Sequence, residues 1–178
     1  MAEMTPGRLW GMRALYILLA LLVMFVHLLP MQTLPRGIAG PDLLVAMTFA
    51  WALRRPDFVP ALSIALVMLL ADMLFQRPPG LWSVLVLMGS EFLKNREKTV
   101  RENTFFAEWV TVAALLAALT VAYRLALGVL IVAPGTLSLS IMQYGMTVMA
   151  YPVVTAVSHV ALGVRRSKRG GYDTGRTL

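Results

Sequence analysis

The chain has 178 residues, of which 58% are hydrophobic and only 14% charged, with a net charge of +7 and no cysteine; its mean hydropathy is +0.73. A soluble domain keeps about a quarter of its residues charged, so this composition excludes a water-covered globule and points to lipid as the solvent of the apolar excess. Disulfides, thiolate catalysis and thiolate metal sites are excluded with the cysteines, and basic residues set between long apolar runs suit anionic membrane lipids rather than nucleic acid.

A helix crossing the hydrocarbon layer needs roughly 20 apolar residues. The first predicted span covers residues 14–29. Arg8 and Arg13 precede it as they would a signal peptide. Pro30, Met31 and Gln32 stand where a small-x-small cleavage site would lie, so the span reads as a retained helix. The second, 41–55, opens on Pro41 and Asp42, which suit a first helical turn. It reaches only about 22 Å, short for a crossing. The third covers 57–75, and Pro78-Pro79-Gly80 turns the chain into the fourth, 80–94, also short.

Lys94, Arg96, Glu97, Lys98, Arg101 and Glu102 then form a charged loop. Asn103 or Thr104 caps the fifth span, 104–127. Pro134-Gly135 turns into the sixth, 136–163, which carries Pro152 inside it. Residues 164–178 form a basic, glycine-rich tail. The fold class is therefore all-α: a polytopic integral membrane protein with a six-helix bundle in residues 1–163.

With both termini cytoplasmic, 13 of the 16 Lys and Arg residues fall inside, and only Arg36, Arg77 and Arg124 fall outside. The positive-inside rule favours that orientation. A five-span alternative, in which the second helix only dips into the membrane, moves Arg54 and Arg55 outside and inverts everything after them.

Helices associate in lipid through small residues and a few polar contacts. The fifth span aligns Ala107, Thr111, Ala114, Ala118 and Ala122 on one face. The sixth aligns Ser140, Tyr144, Thr147, Tyr151, Thr155 and Ser158, a face that suits internal packing, a partner helix or a pocket. Intramembrane acids are functional candidates by default. Here Asp42 and Glu108 sit in first turns, where the helix dipole favours them. Glu91 is placed to pair with Lys94. Asp72 lies in line with Ala61, Ala65 and Met68 on a face of small residues that should point into the bundle, where it either pairs with Arg77 or Arg36 or holds a proton and stays neutral.

His27 and His159 lie at opposite membrane faces and cannot share a metal, which takes three or four converging ligands. No H-E-x-x-H, P-loop, G-x-G-x-x-G or G-x-S-x-G stretch is present. Trp10, Tyr16, Trp51, Trp82, Trp109 and Tyr123 fall mostly near helix ends, as an aromatic belt does.

The ordered set Pro41-Asp42-Leu43-Leu44, Trp51-Ala52-Leu53-Arg54-Arg55-Pro56, Ala71-Asp72 and Pro79-Gly80-Leu81-Trp82 resembles the rod shape-determining protein MreD family over about a third of the chain. Family members often flank the acid with glycines, where this chain has Met68, Leu69, Phe75 and Gln76. The resemblance implies a bundle similar to the substrate-binding subunits of energy-coupling-factor transporters. It also implies a non-enzymatic scaffold in the bacterial inner membrane that supports lateral peptidoglycan synthesis. The partners it implies are MreC, and with it MreB, RodA and the partner transpeptidase of RodA. No cofactor or metal is implied.

The candidate partner-binding or structural polar positions are Asp42, Asp72, Arg77, Ala114, Ala118, Tyr144 and Tyr151. The alternative is a small-molecule-binding subunit of a transporter. It calls for an enclosed polar pocket on the outer side and a small-xxx-small motif on the first helix, where residues 14–29 offer only Ala14 and Ala20. An intramembrane enzyme would need converging catalytic groups that the sequence does not assemble.

Overall fold

The computed structural model describes residues 6–29, 39–96, 105–131 and 135–162. Arg36, residues 97–104 with their proposed cap, and the tail 164–178 lie outside the described residues. Those described form six α-helices, one 3-10 turn and no strand. In chain order the elements are α1 (Pro6–Leu28), α2 (Leu43–Arg54), the 3-10 turn (Pro56–Phe58), α3 (Ala61–Leu74), α4 (Leu81–Asn95), α5 (Phe105–Val129) and α6 (Leu137–Leu162).

The length and hydropathy of α1, α5 and α6 suffice to cross a membrane. Leu18, Leu22 and Phe25 on α1, Leu62 and Leu66 on α3, Leu125 on α5 and Val153 on α6 are all exposed. An apolar surface of this extent is a liability in water and the ordinary exterior of a membrane protein.

The organising element is α2. Its 12 residues span about 18 Å, and every residue from Leu44 to Arg54 is buried. A helix apolar all round has no solvent face to present. α2 accordingly lies inside the bundle against α1, α4 and α6, and the outer helices neighbour one another in the order α1, α3, α4, α5, α6. Its shortness therefore has a packing reason: a helix enclosed by protein need not match the hydrocarbon thickness.

Asp42 starts α2 as its N-cap, its side chain accepting from Val45 N. Close approach of α2, α4 and α5 depends on Gly89. A Cβ there would lie 2.9 Å from Leu119 Cδ1 and 3.2 Å from Phe49 Cζ. α1 contributes the single buried stripe Tyr16, Ala20 and Met24, at the i, i+4 spacing of one helix face.

Several boundaries differ from the sequence expectation. α1 begins at Pro6 rather than at residue 14, because proline suits a first turn and the amphipathic residues up to Arg13 still fit a helix. The third helix begins at Ala61 rather than at residue 57. Pro60, at φ −61° and ψ 152°, holds the chain extended, and Pro56–Phe58 closes separately as the 3-10 turn. α5 continues two residues past the expected end, to Val129. The face expected to run from Ala61 to Asp72 turns inward only at its second half: Ala61 is exposed, whereas Met68 and Asp72 are buried.

Candidate functional site

Polar side chains buried among so many apolar ones gather at the two ends of the bundle. At the Arg54 end the guanidinium Nε donates to Glu108 Oε1 at 3.2 Å, and Arg54 Nη1 reaches the carbonyl oxygen of Thr155 at 3.5 Å. Tyr151 donates its hydroxyl to the same Glu108 oxygen at 2.9 Å. Glu108 is only 1% exposed, so it would be a costly isolated charge. The cation from α2 and the hydroxyl from α6 compensate it and tie three helices together.

Two more contacts extend this layer. Trp51 Nε1 donates to Ser158 Oγ at 3.2 Å. Thr48 gives its one hydroxyl proton to Leu44 O, so the Tyr16 hydroxyl is the donor in their 3.0 Å contact.

At the Asp42 end the backbone N–H of Asp42 donates to Thr147 Oγ1 at 2.9 Å, and Thr147 donates onward to Gln143 O. Arg77 Nη1 lies 3.6 Å from Asp42 Oδ2, and its guanidinium also faces the rings of Phe75 and Trp82. Arg124 Nη1 donates to Ser140 Oγ at 2.7 Å and to Gly135 O at 3.1 Å.

These groups border a cavity of about 110 Å³. Asp42 and Arg77 stand on one side of it, Trp82 and Tyr123 form an aromatic wall, and Arg124, Gln143, Tyr144 and Thr147 stand on the α5 and α6 side. The Trp82 and Tyr123 rings meet edge to face at 5.2 Å. Trp82 Nε1 is buried with no acceptor among the described residues.

Asp72 lies beside this end but serves the turn. Its Oδ2 accepts from Gly80 N at 3.2 Å and Ser83 N at 3.0 Å, while Oδ1 is buried with no partner among the described residues. Gly80, at φ 88°, adopts the left-handed conformation that brings its N–H round to the carboxylate.

Of the candidate residues, Asp42, Arg77 and Tyr144 border the cavity, and Asp72 lies behind them. Tyr144 donates its hydroxyl to Ala113 O at 3.2 Å. Tyr151 belongs to the opposite end. Ala114 and Ala118 join neither layer, because they face outward on α5. Of the two cations expected to pair with Asp72, Arg77 pairs with Asp42 instead and Arg36 lies outside the described residues; Asp72 takes the backbone N–H groups of Gly80 and Ser83. Glu91 and Lys94 pair at 2.7 Å.

Sequence reasoning missed the Arg54–Glu108 pair, because a first-turn dipole already accounted for Glu108 and residues 54 apart carry no periodic link. It also passed over Arg124, Trp82 and Gln143. For Arg124 the signal was present: a cation inside a 25-residue apolar helix needs a polar environment.

Among the described residues no three His, Asp or Glu side chains converge as a metal site would require. The chain matches no protein-family model, no curated protein and no solved structure.

Proposed function

We propose that this membrane protein is a non-enzymatic scaffold of the bacterial cell-elongation complex, as its resemblance to MreD proteins implies. The observation that carries the reading is the use made of its intramembrane ionisable residues. Asp42 caps α2, Arg54 neutralises Glu108, and Asp72 clamps the α3–α4 turn. Residues so committed to the bundle's own architecture are poor candidates for a reacting centre, and the residues that carry the resemblance are largely the same ones.

The bundle then spans the inner membrane six times with both termini in the cytoplasm. Its MreC-binding surface is the outward seam at Ala114 and Ala118, where a partner's membrane helix gains close packing against small residues. MreB, RodA and its partner transpeptidase join through that association. The transporter-subunit alternative is disfavoured by magnitude: a cavity of about 110 Å³ is well below the roughly 300–1,000 Å³ of small-molecule pockets.

The test is purification from a mild detergent with identification of co-purifying membrane proteins. MreC and the wall-synthesis proteins should accompany the wild type. Ala114→Phe and Ala118→Phe should release MreC while the protein stays monodisperse. Co-purification of a transporter ATPase in place of MreC would overturn the scaffold reading.

A further inference from the structure

The cavity at the Asp42 end has an electrostatic imbalance that the scaffold role does not use. Its wall carries two guanidiniums, Arg77 and Arg124, against one carboxylate, Asp42; the carboxylate of Asp72, behind the wall, is committed through Oδ2 to the backbone N–H groups of Gly80 and Ser83. That carboxylate is already engaged: Oδ1 accepts from Val45 N, and Oδ2 stands 3.6 Å from Arg77 Nη1, beyond hydrogen-bond length. Arg124 is held only by neutral oxygens of Gly135 and Ser140, and among the described residues no carboxylate pairs with it.

A positive surplus on the wall describes a site suited to an anion. A cationic ligand would face two guanidiniums. A neutral apolar ligand would cover part of the Arg124 guanidinium without compensating its charge, at a cost in free energy.

We propose that this cavity binds a single oxyanion group, the phosphate of a phospholipid headgroup or of a soluble phosphate ester. The guanidinium fork matches phosphate oxygens in two-point geometry, which favours phosphate as the occupant. Size agrees: about 110 Å³ holds one such group and leaves a longer tail outside. The site is independent of any MreC contact, because Ala114 and Ala118 do not border it. Loss of MreC association would leave anion binding unchanged, and the reverse.

The experiment uses the full chain in mild detergent, titrated with phosphatidylglycerol or diacylglycerol under native mass spectrometry, and with glycerol 3-phosphate in a thermal-shift assay. One phosphatidylglycerol should bind saturably and diacylglycerol should not. Arg124→Gln should weaken binding by about tenfold or more, the scale of one lost charged hydrogen bond, while Arg8→Gln leaves it unchanged. Glycerol 3-phosphate raising the wild-type midpoint, and not that of Arg124→Gln, identifies a soluble source; response to the lipid alone identifies the headgroup. If Arg124→Gln does not remain monodisperse, Arg77→Gln removes the other guanidinium of the wall and should weaken binding by about tenfold. No saturable binding of either phosphate, equal affinity for diacylglycerol, or affinity unchanged in the usable variant overturns the proposal.

Discussion

Glu108 illustrates how one atom's surroundings decide a residue's worth. Its Oε1 receives both Arg54 Nε and the Tyr151 hydroxyl in a place closed to water. Removing one member of such a pair leaves an uncompensated buried charge, at about 3–5 kcal/mol, whereas removing both is often close to neutral. Arg54→Met should therefore lower the thermal midpoint of the purified protein sharply, and Arg54→Met combined with Glu108→Gln should recover much of the loss. Additive losses in that cycle would show that the two side chains act independently.

Asp72 gives a second test at this scale. Asp72→Asn keeps an oxygen acceptor for Gly80 N and Ser83 N and should retain near-wild-type stability. Asp72→Leu strands the buried Ser83 N–H, at about 1–3 kcal/mol, and frees the part-buried Gly80 N–H, and should lower yield and midpoint together. Equal behaviour of the two variants would mean that the turn does not depend on those bonds. The need to neutralise or satisfy these acids was legible in the sequence. Their partners were not, because pairing across 54 residues is set by how α2 threads the bundle rather than by any local spacing.

At the scale of the helix, the short spans were legible and their reason was not. Residues 41–55 are too short to cross lipid comfortably, and hydropathy cannot distinguish a helix that dips from one that other helices enclose. The same limit applies to faces. The α6 row from Ser140 to Ser158 turns inward over its second half, with Thr147, Tyr151, Thr155 and Ser158 buried, while the small-residue row of α5 turns out at Ala114 and Ala118. Both rows have the same period. Only the position of α2, against α6 and away from that α5 face, separates them.

Gly89 tests the close approach directly. Gly89→Ala brings its Cβ against the movable end of Leu119 and gains about 1 kcal/mol of helix propensity, so its midpoint should stay near wild type. Gly89→Leu must displace the Phe49 ring as well, and overpacking of that kind costs about 1–3 kcal/mol. A Gly89→Leu protein as stable as the Ala variant would show that α2, α4 and α5 are less tightly packed at this level.

For the whole molecule, the two polar layers carry an argument about topology that hydropathy alone could not supply. The cavity collects residues from the start of α2, the turn between α3 and α4, the last third of α5 and the start of α6. His27 near the end of α1 stacks at 4.6 Å on Phe75 at the end of α3, which puts the α1 end on the same side. The opposite layer joins Arg54 at the end of α2 to Glu108 near the start of α5 and Thr155 late in α6. There Arg13 Nε also donates to the carbonyl of Asp57, linking α1 to the segment before α3. α1, α2, α5 and α6 thus each run from one layer toward the other, the arrangement that the proposed six crossings require.

Arg13 and Arg55 accompany Arg54 at this layer, and under the proposed six-span topology, which the positive-inside rule favours, this layer is the cytoplasmic one. Reporters fused after Arg55, within residues 95–102 and after Leu178 should all report the cytoplasm, and reporters near Gln32, Pro78 and Gly135 should report the outer side. A fusion after Arg55 that reports the outer side would mean that α2 fails to carry the chain across, and a C-terminal fusion reporting the outer side would overturn the six-crossing topology outright.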